Sequence, residues 1–277
     1  MLVFAYDGTL NGDWVAHYAV RFAANTAARK LRLVHVADAA PESSVEQGIA
    51  RIARESEVLG VALETELVPR RGAGVAERLL ELVPERATLI AGTRAKPQNR
   101  ALLAGTVSAR LLDAGRFSVI AIRVVNPGVL GQPGSVLLPI AGRPRQAALA
   151  LPLLRLLGDD LQRLHFLFVR EVSQVRLRLM RNQGGEKLLA EGRALVASIE
   201  DELRAGLSPH DFELDSSVVV SSDTPREILL HARRLRSRLI GLGASLRTLP
   251  QRVVYGNPIE ELLRDAPSDV AVYRSVE

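Results

Sequence analysis

Short, mostly apolar runs alternate along the chain with longer stretches in which apolar residues recur every three or four positions. The runs cover residues 2–6, 31–36, 63–68, 88–91 and 118–122, and many of their residues are β-branched. The segments between them, 14–28, 45–59, 74–83 and 101–114, carry helical spacing. Strands alternating with helices predict parallel βαβ units. Most of the strands read as near-continuous apolar runs, as a sheet covered on both faces requires. The run 63–68 differs. Glu64 and Glu66 alternate there with apolar neighbours, the pattern of an edge strand with one wet face.

Residues 124–134, VVNPGVLGQPG, hold two prolines and three glycines and read as a linker. After it the same order restarts, with strands at 135–140, 164–169, 214–220, 239–242 and 270–273 and helices at 146–157, 186–205, 225–235 and 258–265. The two halves can be laid over each other. Gly92 and Gly105 are thirteen positions apart, and so are Gly243 and Gly256. The last strands keep that register, SVIAIR at 118–123 against DVAVYR at 269–274. The expectation is one duplicated α/β unit, with domains at 1–125 and 135–277 and a linker at 126–134.

Composition narrows the chemistry. The chain has no cysteine, which excludes disulfides, thiolate zinc sites and a cysteine nucleophile. No apolar run approaches the roughly 20 residues of a membrane helix. Asp7 interrupts the N-terminal apolar run too early for a signal-peptide core, so cytoplasm is the expected location and no membrane partner is expected. The net charge of +5 is carried almost wholly by arginine, since Lys30, Lys96 and Lys187 are the only lysines. The densest stretch holds Arg233, Arg234, Arg236 and Arg238. Elsewhere the arginines are dispersed among acids, and few aromatics are present to stack bases, so the reading is a solvated arginine-rich surface with no nucleic-acid partner.

Two places could carry chemistry. Asp7, with Gly8 and Thr9, stands where the first strand ends, and open parallel sheets bind ligands outside the carboxyl ends of their strands. A carboxylate there accepts hydrogen bonds from ribose hydroxyls, or else shapes the turn and caps the helix that follows. Gly92, Thr93, Arg94 and Ala95 follow the fourth strand, and Gly105-Thr106 come after nine more residues, inside or at the start of a helix. Glycine admits a ligand close to the backbone, and a helix N-terminus offers N–H donors to phosphate. Arg94, Lys96 and Arg100 could neutralise such a group; the alternative is a plain Gly-Thr cap beside a solvated basic loop. No Walker loop or nucleophile elbow occurs, and the two partial G-x-G-x-x-G patterns end on Glu77 and Leu246. His17, His35, His165, His210 and His231 lack metal-ligand spacing, so no metal site is expected. His35 reads as a packed strand histidine. Trp14 and Tyr18, one helical turn apart, read as core or as an aromatic wall facing a ligand.

These residues resemble the universal stress proteins, two domains of the family in one chain. LVFAYDGT at 2–9 resembles the family's first strand and its aspartate, LRLVHVAD at 31–38 its second strand, and FSVIAIR at 117–123 its closing strand. Nucleotide-binding members carry Gly, two residues, Gly, nine residues, then Gly-Ser or Gly-Thr. Here Gly92, Ala95 and Gly105-Thr106 stand at those places, with alanine in place of the second glycine. The resemblance implies two flavodoxin-like, adenine-nucleotide α-hydrolase-like domains, each a five-stranded parallel sheet of order 3-2-1-4-5 flanked by helices. It implies a regulatory, stress-associated protein that binds ATP or ADP, with or without Mg2+, and has no catalytic residues for more than slow ATP hydrolysis. It places Asp7 on the ribose, Val36 on the adenine, Ala91 and Gly92 near both, and Arg94, Gly105, Thr106 and Val107 on the phosphates. The rival readings are a nucleotide-free module with a protein partner, and a binder of another small ligand at the same place.

The second half departs further. Ala141 stands where Asp7 does, Leu246 replaces the second glycine, and Pro258 follows Asn257 at the last helix start, where it has no N–H to donate. One competent site is expected, in the first half. Universal stress proteins commonly dimerise through the closing strand. The resemblance therefore implies an intramolecular pseudo-dimer in which 118–123 and 269–274 lie antiparallel, and it is compatible with a homodimer of tandem chains.

Overall fold

The computed structural model describes residues 1–38, 41–70, 72–93, 106–141, 146–180, 185–207, 211–244 and 258–276. The first half runs β1 (Leu2–Ala5), α1 (Leu10–Ala24), β2 (Lys30–Val36), α2 (Glu42–Val58), β3 (Ala62–Val68), α3 (Val75–Leu82), β4 (Thr88–Gly92), α4 (Val107–Ala114) and β5 (Ser118–Arg123). The second half runs β6 (Gly134–Ile140), α5 (Gln146–Leu157), β7 (Leu161–Glu171), α6 (Gln174–Met180), α7 (Gly185–Leu207), β8 (Glu213–Ser221), α8 (Thr224–Arg234), β9 (Leu239–Gly243), α9 (Pro258–Asp265) and β10 (Asp269–Arg274).

The ten strands among the described residues form one sheet in the order β3-β2-β1-β4-β5-β10-β9-β6-β7-β8. Within each half every pairing is parallel. At the centre β5 and β10 pair antiparallel, from Val270 opposite Arg123 to Arg274 opposite Val119. The halves therefore share a continuous sheet rather than forming two separate ones. α1, α2, α5 and α7 pack a core on one face, and α3, α4, α8 and α9 on the other. β3 is an edge, and its two glutamates meet the neighbouring strand's cations, Glu64 with Lys30 at 2.6 Å and Glu66 with Arg32.

Local chemistry moves several boundaries. α1 begins at Leu10, four residues before the spacing suggests, because the Thr9 hydroxyl accepts from the Gly12 amide and caps it. α4 is capped likewise by Thr106 and stops at Gly115, which adopts a left-handed φ of 64°. α6 has no counterpart in the first half and buries none of its residues. Its Val-Arg-Leu-Arg-Leu order alternates with period two, so helical spacing does not reveal it.

The junction is built from both halves. Asp269 is fully buried at the start of β10 and accepts from the Val125 amide at 2.7 Å, the Asn126 amide at 2.8 Å and the Tyr18 hydroxyl at 2.7 Å. Burial raises its carboxyl pKa, against the pull of those hydrogen bonds and of Arg123. At the other end of the strand pair, Arg274 on β10 donates to the carbonyls of Leu112 and Asp113 and caps the C-terminus of α4. The Val276 amide donates to the Ser118 hydroxyl at 3.1 Å. Asn25 at the end of α1 donates to the Leu157 carbonyl at 2.7 Å. The linker lies against α1, where Gly131 at φ 72° comes so close that a Cβ would fall 2.5 Å from the His17 carbonyl carbon.

Candidate functional site

The carboxyl ends of β1 and β4 bring together most of the described site residues. Gly8, at φ 70°, turns the chain out of β1. Asp7 is exposed there, and its Oδ1 accepts from the Thr9 amide at 3.1 Å and the Thr9 hydroxyl at 2.6 Å. The aspartate thus shapes the turn that presents it, and Thr9 in turn caps α1. At the end of β4, Gly92 lies against α1, where a Cβ would come within 2.9 Å of Asn11 Nδ2. The Ser108 hydroxyl donates to the Gly92 carbonyl at 2.7 Å and ties the first turn of α4 to β4. Thr106 Oγ1 accepts from the Ala109 amide at 3.2 Å. The amides of Val107 and Ser108, in the first turn of α4, make no helical hydrogen bond and carry the positive end of the helix dipole.

Other candidates are placed differently. Val36 and Ala91 are buried in the core on the α3/α4 face. His35 is buried, with Nδ1 2.9 Å from the Tyr6 carbonyl oxygen, a packed histidine rather than a poised base. Tyr18 is buried against Asp269, which makes it part of the junction and not a ligand wall. Arg94 and Gly105, with Ala95, Lys96 and Arg100, lie outside the described residues.

Three polar groups to which sequence reasoning gave no role stand at these strand ends or at the end of the neighbouring β5. Asn11 Nδ2, Thr93 Oγ1 and Arg123 Nη1 are buried and make no hydrogen bond in the structure. Native proteins leave few such atoms, and each calls for an explanation. Burial lowers the Arg123 pKa, although Asp265 and Asp269 pull it upward. A threonine after Gly92 and an arginine ending β5 are visible in the sequence, but their lack of partners is a property of the packing.

At the corresponding end of the second half, Ala141 is exposed and offers no carboxylate. The Tyr273 hydroxyl stands 3.4 Å from where a Cβ on Gly243 would lie. α9 opens on Pro258, while Leu246, Gly256 and Asn257 lie outside the described residues. Among the described residues no group of three or more His, Asp or Glu side chains could hold a metal ion, and no helix is long and apolar enough to cross a membrane.

No family model matches the sequence, and no curated protein matches it. Solved structures do match along its whole length. A universal stress protein from Archaeoglobus fulgidus DSM 4304 aligns over 100% of this chain and 96% of its own, at 15% identity and a TM-score of 0.60. A protein of Pseudomonas aeruginosa UCBPP-PA14 described as a universal stress protein aligns over 98% and 92%, at 18% identity and a TM-score of 0.60. The chain has the universal stress protein fold. That flavodoxin-like fold is not tied to one setting. The cytoplasmic domain of a prokaryotic cation chloride cotransporter aligns over 99% of this chain and 95% of its own, at 12% identity and a TM-score of 0.57. Likeness at these identities is likeness of fold, so function has to be argued from the site.

Proposed function

We propose that the first half, residues 1–125, binds an adenine nucleotide, ATP or ADP, as a regulatory ligand in the cytoplasm. The second half, 135–277 beyond a linker at 126–134, keeps the fold without the binding chemistry. The observation that carries this reading is the meeting of an exposed aspartate and a capped helix N-terminus across Gly92 at the carboxyl ends of β1 and β4. Asp7 would accept hydrogen bonds from the ribose hydroxyls. The first-turn amides of α4, at Val107 and Ser108, would donate to phosphate, and Thr106 would hold that turn in shape. A bound nucleotide would supply phosphate oxygens for Mg2+.

Ligand that binds only the folded state stabilises it by mass action, by about 2.7 kcal/mol at a hundredfold excess over Kd. ATP should therefore raise the melting temperature by about 5–10 °C. Asp7→Ala should abolish most of that rise while the unliganded protein still melts cooperatively. An unchanged melting curve at millimolar ATP would return the protein to the class of nucleotide-free interaction modules, a reading that the engagement of Asp7 with Thr9 favours.

The second half yields a separate expectation. With alanine at 141 and proline opening α9, calorimetric titration should count no more than one ATP per chain. Two equivalent sites would show that neither change matters.

A further inference from the structure

His165 and Ser217 form a hydrogen-bonded pair at the outer edge of the second half. His165 on β7 is only 5% exposed, and its Nε2 stands 2.9 Å from Ser217 Oγ on β8. Its Nδ1 stands 3.4 Å from Asp215 Oδ2. His165 pairs with Asp215, and Ser217 lies two positions further along β8, so all three side chains share the face that α8 covers. An ionised carboxylate can only accept. It therefore assigns the imidazole proton to Nδ1 and leaves Nε2 to accept from the hydroxyl. The other carboxylate oxygen, Oδ1, accepts from the Ser216 amide at 2.7 Å and holds Asp215 in place. Burial lowers the His165 pKa, against the pull of Asp215, and keeps the ring neutral at pH 7, as a base requires.

The first half shows that the fold does not require this set. Arg32 lies opposite Val3 as His165 lies opposite Leu137, and Val3 and Leu137 stand five residues before Gly8 and Gly142. Arg32 thus takes the place of His165, and it forms a plain ion pair with Glu66, which takes the place of Ser217. The second half puts a base and a hydroxyl where the first has a cation and an acid. The edge also supplies a donor. The Val172 amide donates to the Ser221 carbonyl, and parallel pairing alternates along β8, so the Ser216 and Val218 amides point away from β7. The Val218 amide therefore opens outward beside Ser217, where an oxyanion formed by attack of Oγ on a carbonyl needs a donor. Solvent reaches the group, since β8 is an edge, the Asp215 side chain is 74% exposed and Ser217 is half-buried.

We propose that Ser217, His165 and Asp215 form an esterase centre for short, uncharged carboxylic esters. It is independent of the nucleotide reading. Val169 and Val219, partly buried on the same face, offer an apolar seat for a small acyl group, and the exposed carboxylate disfavours an anionic one. Ser217 Oγ bonds to the ester carbonyl carbon as its proton passes to His165 Nε2. The bond from that carbon to the alkoxy oxygen breaks, and the departing oxygen takes the proton and leaves as the alcohol. Water then attacks the acyl-serine, giving a proton to Nε2. The carboxylic acid departs and the proton returns to Ser217. Asp215 is a positioning residue, acting through His165.

The full chain treated with p-nitrophenyl acetate should release a burst of p-nitrophenol equal to the chain concentration. A fluorophosphonate should lose fluoride and leave its phosphonyl group on Ser217, located by mass spectrometry. Ser217→Ala should melt with the parent and lose both reactions, and His165→Gln should slow the burst about a hundredfold or more. The parent's rate should rise with pH through an inflection below the ordinary histidine value near 6.5. The groups acting on that ring are Asp215 on β8, His231 on α8 and Glu200 on α7, with Arg163 and Glu213 paired alongside. Asp215→Asn removes an upward pull, so it should slow the burst about tenfold and move the inflection to lower pH, which a merely structural carboxylate would not do. An adduct on another residue, or none, overturns the centre on the parent chain alone, whether or not a variant folds. A burst that survives in Ser217→Ala overturns the nucleophile, and an unmoved inflection in Asp215→Asn overturns the positioning role.

Discussion

Asp269→Ala is expected to lower stability by about 3–5 kcal/mol, the usual cost of removing one member of a buried, hydrogen-bonded charged network. The substitution leaves the Val125 and Asn126 amides and the Tyr18 hydroxyl without their acceptor, and all three contacts belong to the junction between the halves. At roughly 2–4 °C per kcal/mol for a chain of this size, the melting temperature should fall by about 10 °C. Tyr18→Phe removes only one donor and should cost about 1 kcal/mol. Asp269→Asn separates shape from charge. The folded-state pKa of Asp269 is raised, so its ionised form is the disfavoured one inside the fold. Stability of the parent should decline as pH rises from the ordinary carboxylate value near 4 through the raised folded value, then level off. The asparagine variant lacks this decline, so urea midpoints should shift in its favour over that window. Midpoints that stay in step across it would show that the carboxyl titrates as it does in the unfolded chain.

The second large effect is expected at Gly131. A methyl there meets the backbone of His17 and Tyr18 at 2.5–2.6 Å, and the residue sits at a φ of 72° that side-chain-bearing residues adopt at a cost of about 1–2 kcal/mol. No rotamer relieves a clash with main chain. Gly131→Ala should therefore lift the linker from α1, lower the melting temperature by several degrees and open residues 126–134 to protease. Gly128 is the matched control. It lies in the same segment, has no positive φ, and a methyl added there would find nothing within 4 Å, so Gly128→Ala should change stability by less than about 0.5 kcal/mol. Equal protease resistance in both variants would show that the linker does not depend on its seat against α1.

Much of the architecture is legible in residue order because parallel sheets impose it. Buried strands need apolar residues on both faces, and the runs that break that pattern, with Glu64 and Glu66 in β3 and with Asp215, Ser216 and Ser217 in β8, lie at the two edges of the sheet. The matched spacing of Gly92 to Gly105 and Gly243 to Gly256 parallels the shared order of strands in the two halves of the sheet, and two apolar closing strands need a common cover. Less legible are features set by a single side chain or by distant packing. The Thr9 cap starts α1 early, and the alternating residues of α6 conceal a helix. Asp7 is readable as a turn former and as a ligand carboxylate, and its bonds to Thr9 satisfy the first role without removing its exposure. His165, Asp215 and Ser217 gain their interest only from the register that sets β7 beside β8, which one strand's sequence does not state.

The antiparallel junction of β5 and β10 gives the molecule two poles. The strand tips bearing Asp7 and Gly92 open at one pole, and those bearing Ala141 and Gly243 at the other. Whatever docks at the first pole therefore meets a composite surface, in which the strand ends of the first half adjoin the strand beginnings of the second. Arg233, Arg234, Arg236 and Arg238, at the end of α8 and the approach to β9, are exposed on that side. The second half thus supplies cationic scenery to its neighbour's pole, and the central strands, with α1 held to Asp269 and to the end of α5, join the two poles.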